Sequence, residues 1–154
     1  MRTPPRSIHG HEHHFVTVKP TEFFGLTRVW ITKQQSVMVS DMERTILDGL
    51  RQPQYTGGIQ EMAKALWMSR TEIMILRLLD YMQRSSSGAP RRRLRFLLEL
   101  YAMASPDQLA SLQSKLTSTY DRLDPTLPKS GPFQARWRLQ LNIGIDELEA
   151  IPHT

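Results

Sequence analysis

The chain has 154 residues, of which 40% are hydrophobic and 23% charged, so it can build one ordinary globular domain and is too short for two full-sized ones. Lys and Arg number 20 against 15 Asp and Glu, and the formal net charge of +5 favours partners that carry phosphate or clustered carboxylates. The absence of Cys excludes disulfides, thiolate metal sites, iron–sulfur clusters and cysteine nucleophiles. Because no apolar run is long enough for a signal peptide or a membrane span, we expect a cytoplasmic protein with no membrane partner.

The N-terminal part of the chain shows the alternating pattern of half-buried β-strands. Residues 14–18 place two valines on one face, and residues 27–32 alternate β-branched with polar or aromatic side chains. Residues 33–35 are expected to turn the chain into a short partner strand at 37–39, which predicts a hairpin. Residues 1–12 are a candidate disordered segment, because chain ends are often poorly ordered.

From Ser40 onward the periodicity becomes helical, and five helices are predicted. Three of their starts pair a hydroxyl cap with an acid or amide three residues later, the pattern of a capping box: Ser40 with Glu43, Ser69 with Glu72, and Ser105 with Gln108. The apolar stripe of the last helix consists of Leu109, Leu112 and Leu116. Short connections rich in Pro, Gly or Ser separate the helices.

Strands return near the C-terminus, at residues 119–123 and 136–143. In the second segment Trp137 and Leu139 lie on an apolar face, and Arg136 and Arg138 lie on the opposite, polar face. Strands, then a run of helices, then strands are typical of an α+β domain. We therefore predict a single domain over residues 1–154, in which the terminal strands form one small sheet around a central run of about five α-helices.

A run of arginines is the most informative local feature, and it lies in the first turn of the fourth predicted helix: Arg91, Arg92, Arg93 and Arg95. Cations there oppose the helix dipole, at a cost of about 0.3–1 kcal/mol each, so a group outside the helix is expected to offset them. By helical angle Arg92 and Arg95 face away from the apolar stripe. Together with Arg136 and Arg138 these side chains would form a phosphate-binding surface if the two rows are adjacent. The alternative is that the cations are paired with acidic side chains: Asp80, Glu99, Asp107 or Asp121.

The middle of the chain, residues 59–84, has a pattern similar to a helix-turn-helix. A small residue in the first helix precedes a three-residue turn and a second helix capped at Ser69. In a working motif Arg70, Thr71 and Glu72 would lie at base edges in the major groove. Trp67 stands where the turn usually has a small residue, and two adjacent helices of any bundle would look much the same. A DNA-binding transcriptional regulator that uses this pair is the alternative function.

Other candidate sites are weaker. His9, His11 and His13 alternate and would share one face of a strand, but without supporting acidic partners we expect no metal site. Residues 56–58 precede a helix and could offer N–H groups to a phosphate, although their glycines more simply separate two helices. No Ser/His/Asp arrangement stands out, so we expect no catalytic residues, no cofactor and no enzymatic activity.

The order of motifs along nearly the whole chain resembles the C-terminal domain of AbiEi-type antitoxins, from bacterial type IV toxin–antitoxin systems associated with abortive infection. The resemblance begins with residues 8–10, 15–20 and 23–25 and is densest over residues 39–50. Further matching positions follow in order: Pro53, Tyr55, Gly57, Gly58, Leu79-Asp80-Tyr81, Leu97-Leu98-Glu99, Leu123-Asp124-Pro125, Trp137-Arg138-Leu139 and Asn142. The individual motifs are loose, and their order and spacing carry the similarity.

This resemblance implies a regulator without enzymatic activity that counters a nucleotidyltransferase-type toxin without forming a stable complex with it. It also implies a basic face, which Arg91, Arg92, Arg93, Arg95, Arg136 and Arg138 would supply. The nucleic acid bound there would be operator DNA or the toxin's RNA target. Because the similarity starts within the first ten residues, we expect the family's N-terminal winged helix-turn-helix to be absent, which makes operon repression doubtful.

Overall fold

Helices form the middle of the chain in the computed structural model, which describes residues 3–113 and 117–154. The α-helices of these residues are Met42–Arg51 (α1), Ile59–Met68 (α2), Ile75–Arg84 (α3), Gly88–Leu100 (α4), Pro106–Gln113 (α5) and Ile145–Glu149 (α6). The strands are Arg6–Ile8 (β1), His11–His13 (β2), Leu26–Trp30 (β3), Ser36–Ser40 (β4), Asp121–Arg122 (β5), Phe133–Gln134 (β6) and Leu139–Gln140 (β7). The α+β class and the helical centre are thus confirmed, with the short α6 added. Leu116, assigned to the stripe of the fifth helix, lies outside the described residues.

The strands belong to three separate small sheets. Strands β1 and β2 form one antiparallel hairpin, and β3 and β4 form another. In the third sheet β7 lies between β5, which is parallel to it, and β6, which is antiparallel. The expectation that the N- and C-terminal strands share one sheet is wrong. Each strand pairs close to its own place in the sequence, where loop closure costs least entropy.

The hydrophobic core lies among the helices, and α1 is at its centre. Helix α1 packs against α2, α3 and α4. Gly49 faces Met62 of α2, and a Cβ at this position would clash with the Met62 side chain, so the glycine lets the two helices approach closely. The largest fully buried side chains are Phe96, Leu47, Leu50, Ile59, Leu66, Leu78, Met82, Leu94, Leu97, Leu98, Leu112 and Leu123.

Two of the three predicted helix starts lie at or next to a helix start. At Ser105 the capping box is confirmed: the Gln108 amide N donates to Ser105 Oγ (3.3 Å), and the Ser105 amide N donates to Gln108 Oε1 (2.8 Å). At α1 the cap is Asp41, whose Oδ1 accepts from the Arg44 amide N at 2.7 Å, while Ser40 ends β4. The acid takes the cap because the β3–β4 ladder extends through Ser40.

The start predicted at Ser69 is wrong. Ser69 ends α2, where its hydroxyl donates back to the Ala65 carbonyl at 2.8 Å, and α3 begins only at Ile75. The Met74 amide at the start of α3 donates to Glu43 Oε1 at 2.7 Å. A carboxylate from α1 therefore accepts from the amide at the start of α3, the role expected of Glu72 in the predicted capping box, while the Ser69 hydroxyl bonds within its own helix.

The predicted strands are longer than, or displaced from, the observed ones. Residues 14–18 form no strand, and the pairing lies earlier, in β1 and β2. Residues 135–138 form a turn between β6 and β7, so the strand expected at 136–143 is reduced to Leu139–Gln140. Within the turn Arg138 has a φ of +55° and its amide donates to the Ala135 carbonyl at 3.3 Å. Arg136 and Arg138 therefore do not alternate with Trp137 as strand residues would.

Candidate nucleic-acid interface

The arginine run of α4 (Arg91, Arg92, Arg93 and Arg95) is buried, with 3–6% of each residue exposed. The prediction that these guanidinium groups reach solvent or a partner is wrong. Helical angle does not decide exposure here, because helix packing on one side and the segment 117–136 on the other cover the turns of α4 that carry the arginines. The four cations at this helix N-terminus are offset by oxygen acceptors that lie outside the helix.

Two of these arginines cap the ends of other helices. Arg91 Nη2 donates to the Met82 and Ser85 carbonyls, both at 3.1 Å, where α3 ends. Arg93 Nη1 donates to the Leu50 carbonyl at 2.8 Å, in the last turn of α1, and its Nε donates to the Leu123 carbonyl at 2.9 Å. The carbonyls at a helix C-terminus lack partners within the helix and carry partial negative charge. Each guanidinium therefore satisfies acceptors that would otherwise be buried unpaired.

The other two arginines hold the C-terminal segment against α4. Arg92 pairs with the Asp121 carboxylate and donates to Thr117 Oγ1 at 2.8 Å. Arg95 donates to the Arg136 carbonyl and to Gln113 Oε1, the latter at 3.1 Å. The acid-pairing alternative is thus confirmed for Asp121, whereas the remaining acceptors of Arg92 and Arg95 are hydroxyl, backbone carbonyl or side-chain amide oxygens.

Desolvation by burial lowers the pKa of Arg91, Arg93 and Arg95 from its usual value. Guanidinium nevertheless stays protonated in proteins, so these groups remain cations inside the fold. All three donate to uncharged oxygens. Much of the basic character of α4 is therefore structural, and the run does not form an outward surface for phosphate.

Arg136 is exposed and lies beside α4, where it pairs with Glu99. Glu99 also accepts from Trp137 Nε1 at 2.7 Å. Burial raises the pKa of Glu99, but the hydrogen bonds from Arg136 and Trp137 outweigh it, so the net pKa lies below the ordinary value. Trp137 itself packs edge-on against Phe96, with ring centroids 5.0 Å apart. Arg136 is thus partly neutralised by its own fold, and the acid-pairing alternative is confirmed for Glu99 as well.

The outward side of the C-terminal sheet forms a different basic surface, which we call the outer face: Tyr120, Arg122, Phe133, Arg138 and Gln140. Arg122, Gln140 and Phe133 lie side by side across the three strands. Tyr120 directly precedes β5, and Arg138, the last residue of the turn 135–138, directly precedes β7. The Tyr120 and Phe133 rings meet edge-to-face with centroids 5.3 Å apart. Arg138 Cζ lies 5.5 Å from the Tyr120 centroid. Asp121 and Leu139, in the alternate positions, point toward α4 and the core.

Arg138 is the one predicted site residue that lies on the outer face. Tyr120, Phe133 and Arg122 were not among the predicted site residues. That prediction rested on charge alone and did not consider aromatic residues next to charged ones. The available signal was Tyr120 and Arg122 in alternation within the predicted strand 119–123. Phe133 had no such signal, since its position follows from the pairing of β6 with β7.

The helix-turn-helix pattern does not have the required geometry. Arg70, Thr71 and Glu72 lie in the connection between α2 and α3, not in the first turn of a second helix. Arg70 folds back, with Cζ 4.3 Å from the Trp67 ring centroid and Nη1 donating to the Trp67 carbonyl at 2.9 Å. A recognition helix needs its N-terminal side chains free to enter the groove, so the prediction for this pair is wrong in its geometry.

The alternating histidines are separated by a turn. His9 has a φ of +51° between β1 and β2, and His11 and His13 follow in β2. His14 contacts the Tyr55 ring, with centroids 5.1 Å apart. Over residues 3–113 and 117–154, no group of three or more His, Asp or Glu side chains is placed to hold a metal ion.

The glycines before α2 face an anion that the chain itself supplies. The Ile59 amide at the helix start donates to Asp124 Oδ2 at 2.8 Å, and a Cβ at Gly58 would lie 2.8 Å from the same oxygen. Asp124 is held in turn by the Thr126 amide (2.8 Å) and by paired bonds with Asn142. The place considered for a phosphate is therefore filled by a buried carboxylate.

Among the described residues, the helices are all too short or too polar to cross a membrane. Comparison with family models, with curated proteins and with solved structures finds no match for this chain.

Proposed function

We propose that this chain is an antitoxin or regulatory domain of a bacterial type IV toxin–antitoxin system, similar to the C-terminal domain of AbiEi-type antitoxins. In this proposal it acts in the cytoplasm, has no enzymatic activity of its own, and counters a nucleotidyltransferase-type toxin without a stable complex. It acts by binding nucleic acid, either operator DNA or the RNA that the toxin attacks.

One observation carries the proposal: the polar residues of the resemblance contact one another across long stretches of chain. Tyr81 Oη donates to Asp41 Oδ2 at 2.7 Å, and Trp137 donates to Glu99. Asn142 Nδ2 donates to the Asp124 carbonyl at 2.7 Å. A set of loose motifs that shares only an order could be coincidental. Because the residues of these motifs meet in space, they form a connected set within this fold, which supports treating them as one pattern.

The nucleic-acid surface of this proposal is the outer face together with Arg136, because the arginine run is used inside the protein. Arg122 Nη1 bonds the Leu127 carbonyl at 2.7 Å, which leaves the other donors of this half-buried guanidinium for a ligand. Backbone phosphates are the groups that exposed guanidinium binds most often in nucleic acids. The proposed contacts are therefore Arg122, Arg136 and Arg138.

Growth protection in cells tests the proposal. The chain is co-expressed with the nucleotidyltransferase that the proposal expects to be encoded beside its gene. Colony-forming units are counted for wild type and for the double variant Arg122→Glu, Arg138→Glu. We expect the wild type to restore growth and the double variant to lose most of the protection. The matched control is Arg28→Glu with Arg70→Glu, which reverses two exposed charges elsewhere and should leave protection unchanged.

Circular dichroism checks that both double variants remain folded. A wild-type chain that fails to restore growth would contradict the proposal, and so would a gene neighbourhood without a nucleotidyltransferase. Protection that survives in the Arg122→Glu, Arg138→Glu variant would exclude the outer face as the surface that acts.

A further inference from the structure

The outer face presents aromatic rings beside cations, a combination that the charge pattern alone does not explain. Phe133 is 63% exposed and Tyr120 is 37% exposed, although large aromatic side chains gain free energy when they are buried. Arg138 Cζ lies over the Tyr120 ring, and Arg122 follows two residues after Tyr120, in β5. Exposed rings next to guanidinium groups are suited to a ligand that has both flat apolar surfaces and phosphates. A nucleic-acid strand has both, in its bases and its backbone.

The relative orientation of the two rings decides between single and double strands. The planes of Tyr120 and Phe133 are 87° apart, so two bases stacked on them cannot be parallel to each other. In a duplex the bases are parallel, and their faces are covered by their neighbours. Only an unpaired strand can turn successive bases onto rings at right angles.

The number of cations on the outer face is small, which fits a ligand that makes few phosphate contacts. Arg122 and Arg138 are the guanidinium groups of the outer face, and Arg136 beyond it is already paired with Glu99. Two or three phosphate contacts are few for a protein that binds duplex DNA mainly through its backbone. Stacking would then supply a large share of the affinity.

We propose that the outer face binds single-stranded nucleic acid, with one base stacked on Tyr120, another on Phe133, and phosphates held by Arg122 and Arg138. This deepens the proposed function, on which it rests, because it names the ligand of the same surface. Of the two nucleic acids considered above, it selects an unpaired RNA segment over operator duplex.

Fluorescence anisotropy with labelled eight-nucleotide oligo-U and oligo-dT, and with a mixed-sequence duplex of the same length, tests this inference. We expect both single strands to bind at least tenfold more tightly than the duplex. The variants Tyr120→Leu and Phe133→Leu should each weaken binding by about tenfold, because stacking on an aromatic side chain contributes about that factor or more per base. The logarithm of affinity should fall with the logarithm of salt concentration with a slope of about −1.4 to −2, as two or three phosphate contacts require.

Phe23→Leu is the matched control, because its ring is 68% exposed and lies outside the outer face. Its affinity should equal that of the wild type. Equal or tighter binding of the duplex would overturn the inference, and so would unchanged single-strand affinity in both Tyr120→Leu and Phe133→Leu.

The outcomes separate the inference from the proposed function. Ring-dependent oligonucleotide binding by a chain that gives no protection in cells would contradict the proposed function and leave the inference standing. Protection in cells by a chain that binds no single strand would overturn the inference and leave the proposed function standing.

Discussion

The first turns of α4 and the β3–β4 hairpin occupy environments opposite to those that their compositions suggest. The arginine run is almost entirely buried among oxygens. The hairpin carries one of the most apolar stretches of the chain, yet Val29, Trp30, Val37 and Met38 are each between 42% and 62% exposed. A charged helix segment thus lies inside, and an apolar sheet segment lies outside.

Available partners explain the difference. Every helix that ends inside a domain leaves carbonyls without internal donors, and a guanidinium with five N–H groups can satisfy several of them at once. A two-stranded sheet buries a side chain only where another layer covers it, and both faces of β3–β4 remain exposed. Hydropathy ranks side chains by their transfer from water, whereas burial in a fold also depends on which acceptors or layers lie nearby.

Replacing an arginine of the buried region should have the largest effect. Arg93→Met leaves the Leu50 and Leu123 carbonyls buried without a donor, so we expect the free energy of unfolding to fall by about 3 kcal/mol. Urea denaturation measures this change. Arg28→Met, at an exposed arginine of the hairpin, is the control and should change stability by less than about 0.5 kcal/mol. Equal effects at the two positions would remove the contrast between the regions.

An intermediate effect is expected at Glu22, which ties the segment before the hairpin to α1 and to the start of α4. Its carboxylate accepts from Arg51 Nη2 (2.8 Å) and from Ser86 Oγ (2.9 Å). The hydrogen bond from Arg51, aided by those from Ser86, outweighs the effect of burial and lowers the pKa of Glu22 to about 2. Because the folded pKa lies below the unfolded one, this stabilisation is complete above about pH 4.5 and is lost as the pH falls toward 2.

Urea midpoints between pH 6 and 2.5 check this prediction. The wild type should lose about 1 kcal/mol more than Glu22→Gln over that range, after allowance for the partly exposed Arg51. Glu61→Gln, which removes an exposed acid paired with Lys64, should behave like the wild type. Parallel curves for wild type and Glu22→Gln would show that the pairing with Arg51 adds no stability.

The smallest effect is expected on the hairpin itself. Val37→Thr and Met38→Gln, which lie on opposite faces of β4, should each change the free energy of unfolding by about 0.5 kcal/mol or less, because little apolar area is buried at either position. Thermal unfolding followed by circular dichroism measures both. A loss above about 1.5 kcal/mol at one of them would show that a further layer covers that face in solution, and would identify which face it is.

The sequence predicted what depends on near neighbours. The hairpin over β3 and β4 and the capping box at Ser105 were both foreseen, because their partners lie a few residues away. The partners of the arginine run were not, since the carbonyls of Leu50 and Leu123 have no signature that distinguishes them from any other carbonyl. The sequence indicated only that some group outside the helix must offset these cations, because cations at a helix start oppose the helix dipole.

The candidate surface was predictable to the same extent. Arg138 was identified by its charge, and Tyr120 lay within a predicted strand, so both were visible locally. Their meeting with Phe133 depends on the order of the strands β5, β7 and β6, which periodicity does not determine. The failure at Ser69 has a similar origin, because a glutamate of α1 reaches the start of α3 from a distant part of the chain.

The residues that contact one another around α4 are made at different times during synthesis. When the ribosome has added residue 113, the four arginines of α4 are made, but the oxygens of Thr117, Asp121, Leu123 and Arg136 that three of them bind do not yet exist. Until those residues are made, Arg92 has none of these partners, Arg93 has only the Leu50 carbonyl, and Arg95 has only Gln113 Oε1. The C-terminal segment therefore completes an interior begun earlier, because the arginines of α4 obtain their full set of acceptors only when it is in place.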